Sequence, residues 1–335
     1  TLDVTLQLAE AVPRRFGGGI EYSTVEGLSA RAYWLHRNLF GGAERFRVEG
    51  EVDGIAGGTG GTDYSLGASF SRPASIGPDS ILNVETRYEF LDEPDFEGDT
   101  FELSFTRTRI ASDILEYGIG VGVELAWIRD AEGSMDYSFV TLPAYGIYDI
   151  RDNELDATSG IYGRLDLKPF LGLRDSSDGA SAKIDARGYF TPDTARAITF
   201  AGRLQFGTIL RIPIEEVPNN ERFYSGGGGT VRGHDYQSLG IDLNGQSSGG
   251  RSFLGLSAEA RVGITRAISG VGFVDFGMIG RDSVPDASSD SHAGAGIGVR
   301  YDTGIGPIRA DIAVPVSGDT QGDDIHLYIG IGQAF

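Results

Sequence analysis

The sequence predicts an all-β fold, a sixteen-stranded antiparallel transmembrane β-barrel, and three observations predict it. Segments of about ten residues with alternating apolar and polar character recur from residue 15 onward, each near the length a tilted membrane-crossing strand needs. The connections between them differ in length by parity, short at one rim and long at the other. No apolar run of helical length competes with the strands as a membrane span.

Taken in order, Leu2, Val4, Leu6 and Leu8 alternate with Asp3, Thr5 and Gln7, and Pro13 ends that segment. Residues 1–12 therefore read as a short strand of a preceding unit, and residues 13–335 as the barrel. Thr1 to Val12 contains no basic stretch followed by an apolar core, so the expectation is a mature or trimmed chain. The sixteen strands are expected near 15–23, 28–36, 42–53, 62–72, 79–89, 99–110, 114–127, 137–149, 161–169, 179–190, 197–210, 252–265, 270–279, 291–303, 306–316 and 324–335. Alternation is clearest late in the chain. Leu254, Leu256, Ala258, Ala260 and Val262 share one face against Ser257, Glu259 and Arg261, and Ile308, Ala310, Ile312, Val314 and Val316 oppose Arg309 and Asp311. Tight turns are expected at 37–41, 73–78, 111–113, 191–196, 266–269 and 304–305, with 150–160 the longest on that rim. Longer loops are expected at 54–61, 90–98, 128–136, 280–290 and 317–323. Tyr33, Trp34, Trp127, Tyr145, Tyr148 and Tyr301, near strand ends, are candidates for interfacial girdles.

Composition agrees with a barrel and removes several function classes. Gly contributes 51 residues and Cys none, which excludes disulfides, iron–sulfur clusters and thiol nucleophiles. A net charge of −20 argues against nucleic acid, because a phosphate-binding surface needs concentrated Lys and Arg. Lys occurs only at Lys168 and Lys183, so 28 − 2 = 26 basic residues are Arg, suited to fixed multidentate pairing in a polar lumen. The four histidines, at 36, 234, 292 and 326, have no metal-ligand spacing, and Asp152, Glu154 and Asp156 lack the rest of a calcium loop. No metal and no cofactor is expected. Gly245-Gln246-Ser247-Ser248-Gly249 matches a nucleophile-elbow pattern only formally, without the strand-to-helix turn that would expose the serine, so an enzyme is not expected.

One stretch interrupts the regular pattern. The connection between strands eleven and twelve, about 211–250, is far longer than a hairpin and contains Gly226 to Gly229 followed by Val231-Arg232-Gly233-His234. Dense glycine permits positive φ and close backbone approach, as in a loop folded into a confined space. The run lacks the Lys-Ser/Thr ending of a phosphate-cradling loop. If the loop enters the lumen, Arg232 needs an anionic partner, and lumen-facing parity offers Glu259 and Asp275.

These residues also resemble a known family. Gly226-Gly227 with Thr230-Val231-Arg232-Gly233, the strand motif Phe273-x-Asp275-x-Gly277, and the tail from Gly298 to Phe335 with Tyr328, Gly330 and Phe335 are similar to motifs of the sixteen-stranded outer-membrane assembly and translocation barrels. That superfamily includes BamA, TamA and the two-partner secretion transporters. The resemblance implies a bacterial outer-membrane location, an inserted loop whose Arg meets the strand Asp, and a C-terminal recognition signal at Tyr328, Gly330 and Phe335. Arg14 to Ile20, Trp34 to Gly41 and Asp152 to Gly160 are most similar to the TamA barrel of the translocation and assembly module. Residues 1–11 would then be the last strand of a periplasmic POTRA domain, and a TamB-type periplasm-spanning protein and unfolded outer-membrane clients would be partners. His234 departs from the motif, which usually continues with an aromatic residue. The acidic balance fits a long-loop rim facing lipopolysaccharide with bridging divalent cations.

The seam between the first and last strands is the expected working part. Gly17, Gly18 and Gly19 leave the first strand poor in side-chain contacts, so a weak seam and a lateral gate follow, with Gly330 and Gly332 on the last strand's side of it; a tight bend entering the barrel is an equal reading of 17–19. Rival functions are a BamA-type insertase, a two-partner secretion transporter and, from another class, a passive diffusion pore.

Overall fold

A computed structural model describes residues 12–192, 198–304, 306–318 and 325–335. The segment 2–11 lies outside the described residues, as do most of the turn after the tenth strand and part of the last loop. Sixteen strands form the wall. They are β1 (Arg14–Ser23), β2 (Gly27–Arg37), β3 (Arg45–Ile55), β4 (Asp63–Pro73), β5 (Ser80–Asp92), β6 (Phe96–Ser112) and β7 (Leu115–Asp130). Next come β8 in two segments (Gly133–Thr141 and Ala144–Asp149), β9 (Gly160–Gly172), β10 (Gly179–Phe190) and β11 (Ile198–Leu210). The wall ends with β12 (Ser252–Gly263), β13 (Ile268–Gly280), β14 (Asp290–Tyr301), β15 (Ile308–Ser317) and β16 (His326–Ile331). Each pairs antiparallel with its neighbours, and β1 meets β16, so the sheet closes. Pro143 explains the break in β8. It has no N–H for the ladder; its carbonyl still accepts from Gly120 at 2.7 Å while Leu142 donates across to Pro169 at 2.9 Å.

Alternation decides which way each side chain points. Ile119, Val121 and Val123 on β7, Leu165 and Leu167 on β9, and Ile308, Ile312 and Val314 on β15 are exposed on the outer surface, where lipid replaces water. Their neighbours in sequence face the lumen. Because residues two apart share a face, an Arg and an acid at that spacing both reach inward and pair: Arg47 with Glu49, Arg87 with Glu89, and Arg164 with Asp166, each at 2.6 Å. Arg187 and Arg203 share Asp185 across two strands, at 2.6 and 2.9 Å.

Three expectations are corrected. The connections at 90–98 and 128–136 are tight turns of residues 93–95 and 131–132, because β5, β6 and β7 continue as a paired ladder past the expected ends, with Asp92 opposite Glu97 and Asp130 opposite Gly133. Parity of loop length is therefore weaker than expected, and the β1–β2 turn, 24–26, is also short. Tyr33 and Tyr145 are not girdle residues. Tyr33 lies under Arg47 at 4.0 Å, and Tyr145 bonds Thr108 and Glu116 inside the lumen, whereas Trp127, Tyr148 and Tyr301 are exposed outward. The last strand stops at Ile331, and residues 332–335 leave the sheet.

Candidate functional site

The segment 211–251 leaves β11 and returns to β12 after crossing the barrel interior. It has two 3₁₀ turns, Ile214–Glu216 and Asn219–Glu221, and a small hairpin of Ile241–Leu243 and Gln246–Ser248. Its apolar residues Ile212, Ile214, Val217, Ile241 and Leu243 are buried against Ile128, Phe139, Phe170, Phe253 and Ile279 of the wall. Polar anchors tie it to strands on several sides. Lys168 bonds Glu221 at 2.5 Å and Glu124 at 2.9 Å, Tyr224 donates to Asp95 at 2.6 Å, Tyr236 donates to Glu93 at 3.1 Å, and Gly228 N–H donates to Glu26 at 2.8 Å. Carboxylate oxygens of Glu102, Glu124 and Glu221 lie within 4.8 Å of one another, and the Lys168 ammonium pairs with two of them, Glu124 and Glu221. Burial, reinforced by the charge of Asp63, pushes the Glu93 carboxyl up to about 7.

Midway along this segment Arg232, 2% exposed, enters a cluster of buried charges. Its Nε and Nη2 donate to the two oxygens of Asp275 at 2.7 and 3.1 Å, a bidentate fork, and its backbone N–H adds a third bond to Asp275 at 3.2 Å. Nη1 donates to Glu259 at 3.0 Å and Asp311 at 3.3 Å, and the guanidinium lies 3.5 Å over the Phe273 ring. Arg261 pairs with Glu259 at 3.0 Å, and Arg300 pairs with Asp311. Three guanidinium groups thus face three carboxylates, 3 − 3 = 0, so the buried cluster is neutral. Each acid comes from a different strand, β12, β13 and β15, at inward parity.

Glycines make room for this contact. Gly233 has φ +97, and a side chain there would meet the Val314 carbonyl at 2.6 Å. On the wall, a Cβ at Gly277 would lie 2.2 Å from Ser225 Oγ, and one at Gly294 would lie 1.9 Å from the Arg232 carbonyl. The Asp275-x-Gly277 spacing therefore pairs an anion with a notch on one face of β13. Gly226 and Gly227 also have positive φ, and Val231 is fully buried. His234, in place of the aromatic residue, bonds the Ala293 carbonyl at 2.9 Å with its ring 4.2 Å from His292, which in turn bonds Ser225 at 2.8 Å.

Several of the residues singled out by sequence thus meet, and others do not. Arg232 reaches both Asp275 and Glu259, and Tyr328 accepts from Gly233 N–H at 3.1 Å. Gly17 to Gly19 pair with β2 but not with Gly330 or Gly332; the seam's register pairs are Tyr22 with Ile329 and Ser23 with Tyr328. A Cβ at Gly17 would lie 2.5 Å from the Tyr33 ring, so this glycine also makes space for an inward side chain of β2. Asp311, Arg261 and Arg300 carried no assigned role in the sequence reading. The only signal for them was a charge at inward parity on β12, β14 and β15.

A sixteen-stranded closed barrel with an apolar outer belt, a charged lumen and a pinned internal segment defines an outer-membrane β-barrel protein. Residues 38–335 match the Omp85 superfamily domain, and the chain belongs to that superfamily. Among solved structures it is similar to BamA from Haemophilus ducreyi lacking POTRA domains 1–3, with TM-score 0.77 and 19% identity over 96% of this chain and 70% of that one. It is also similar to CdiB from Acinetobacter baumannii, with TM-score 0.66 and 14% identity over 96% of this chain and 60% of that one, and to CdiB from Escherichia coli, with TM-score 0.65 and 12% identity over 97% and 63%. These likenesses describe the fold. Superfamily barrels act with client proteins and partner components in the bacterial outer membrane.

Proposed function

We propose that this barrel helps outer-membrane β-barrel and autotransporter-type clients to insert or cross, by opening laterally between β1 and β16. One observation carries the reading. Among the described residues the seam has two register pairs, against ten between β1 and β2 and twelve between β12 and β13. Thr24 N–H donating to the Leu327 carbonyl at 3.0 Å, and an ion pair of Glu21 with Arg309, add little to hold it. From Arg14 to Glu21 the seam side of β1 offers unpaired backbone groups that an incoming strand satisfies by β-augmentation. Arg232 and its acids tie together β12, β13 and β15 on the β16 side of the seam, so that this side of the wall stays rigid while the seam opens.

Within the superfamily we favour a TamA-type barrel with a TamB-type partner, on the start of the chain, Arg14 to Ile20 and Trp34 to Gly41, and the 152–160 turn. Residues 1–11 would close a POTRA domain, and lipopolysaccharide would surround the long-loop rim. A BamA-type insertase and a two-partner secretion transporter are the neighbouring alternatives. A passive pore is disfavoured by the segment filling the lumen, and single-channel conductance with and without residues 221–240 separates it.

The test is a seam lock. Tyr22 and Ile329 are direct register partners, so Tyr22→Cys with Ile329→Cys places two thiols across the seam. Oxidation is expected to abolish client assembly and reduction to restore it. Undiminished assembly by the fully locked form overturns lateral opening.

A further inference from the structure

Outward positions on β9 to β16 carry no charge among the described residues, whereas β4 and β6 place three arginines there, Arg72, Arg107 and Arg109. Thr108 fixes the parity of β6, because its hydroxyl accepts from Asn83 and bonds Tyr145 inside the lumen, so both its neighbours face out. In register Arg72 and Arg107 flank Leu82 of β5, one on each side, and Arg109 stands opposite Ser80. Two strand spacings, about 10 Å, separate Arg72 from Arg107. Both strands end at the rim opposite the one where β11 and β12 exchange the 211–251 segment. Long connections of such barrels lie outside the cell, so the three arginines meet the periplasmic leaflet.

These cations are poorly compensated. Arg72, its side chain 64% exposed, has Glu44 at 3.9 Å, and that carboxylate already accepts from the Phe40 and Gly42 N–H groups. Arg107 donates through Nη2 to the Ile76 carbonyl at 3.1 Å and to Ser80 Oγ at 3.2 Å, neither of them an anion, and its Nε has no partner. Arg109 has no hydrogen bond or ion pair among the described residues, and Asp79 of the β4–β5 turn pairs with none of the three. Counting Glu44 and Asp79, the local excess is 3 − 2 = +1, on a chain of net charge −20. Phe40 and Ile76, 76% and 74% exposed, present apolar groups at the same rim. Guanidinium groups beside exposed apolar residues at headgroup depth match a molecule with an anionic head and acyl chains, whereas an acidic protein would have no use for the apolar part.

We propose that this patch docks an anionic phospholipid of the periplasmic leaflet. Its phosphate sits between Arg72 and Arg107, Arg109 adds to the attraction, and the acyl chains run along the outer face beside Leu82. The site lies on β4 to β6, away from β1 and β16, and does not depend on lateral opening.

The probe is a fluorescently tagged phosphatidylglycerol, titrated by anisotropy against the purified barrel in an uncharged detergent, with phosphatidylcholine of the same tag and chains as the control. The parent chain is expected to bind phosphatidylglycerol at least about tenfold more tightly, the worth of one charge-assisted contact, and to lose that preference as salt rises. Arg72→Gln with Arg107→Gln and Arg109→Gln is expected to bring the two lipids to within about twofold of each other, while Arg129→Gln, at the opposite rim, leaves the preference intact. Because Arg107 also holds the β4–β5 turn, Arg109→Gln alone, which breaks no bond, repeats the test should the triple variant not fold, with at least about a threefold loss of preference. Equal binding of the two lipids by the parent, a preference that survives the triple variant or Arg109→Gln, or the same loss in Arg129→Gln overturns the assignment. An oligoglutamate peptide that binds the three arginines more tightly than phosphatidylglycerol overturns it in favour of an acidic protein partner.

Discussion

Arg232→Ala is the perturbation whose cost can be worked most directly from the buried cluster. Among the described residues Asp275 accepts three bonds, all from Arg232, two from the guanidinium and one from the backbone N–H; the substitution keeps the last but leaves Asp275, 1% exposed, without a counter-charge. Glu259 keeps Arg261 and Asp311 keeps Arg300, so the loss concentrates on one carboxylate. Breaking a buried pair by deleting one partner costs about 3–5 kcal/mol, because an uncompensated charge remains. Asp275→Ala strands Arg232 less completely, since Glu259 and Asp311 still accept from Nη1, and should cost less. Combining the two removes one charge of each sign and restores neutrality, so the double variant should be less destabilised than the sum by about 1–3 kcal/mol. The assay is denaturant unfolding of the barrel in micelles, followed by the fluorescence of its two tryptophans, Trp34 and Trp127. Single effects below about 0.5 kcal/mol that simply add would refute the buried-cluster reasoning.

Two further outcomes are expected. Gly294→Ala should displace the Arg232 contact even though it touches no charge, because its Cβ would sit 1.9 Å from the Arg232 carbonyl; protease susceptibility of 221–240 should rise, and an unchanged cleavage rate would count against the notch. Glu93 sets a pH dependence whose sign follows from its raised value. The folded chain holds this proton more tightly than the unfolded one, so the contribution is full below the ordinary value of 4.5 and is lost as pH rises through about 7, where the ionised carboxyl faces Asp63 and Asp95. Protection of the amides around Tyr236, taken relative to the intrinsic exchange rate at each pH, should fall between pH 5 and pH 8, and Glu93→Gln should flatten that fall; an identical slope in the variant would assign it to another group.

Much of the fold was legible because a strand's side chains alternate with period two. That period placed Glu259 and Asp275 at inward positions, and put Arg and acid residues two apart on a common face. It could not set strand length. Polar stretches such as 90–98 and 128–136 look like loops by composition, yet ladder pairing continues through them because backbone hydrogen bonds are indifferent to side-chain polarity. Nor could it choose between lumen and lipid for an aromatic residue near a strand end, so Tyr33 and Tyr145 were misplaced: one shift of parity reverses the face.

The sequence by itself determined the all-β class, the sixteen strands, the polar and apolar faces and the need of Arg232 for an anion, since each follows from local period or from the cost of burying a charge. Tertiary structure alone decided which anions answer it. Asp275 lies 43 residues from Arg232 and Asp311 lies 79, and only closure of the barrel and passage of the 211–251 segment through its interior bring them together. The same holds for Phe335, buried among Ala157 of the β8–β9 turn, Tyr189 of β10 and Ala201 of β11. Contacts made across a closed sheet depend on register and curvature summed over every strand between them, and no local window of sequence contains that sum.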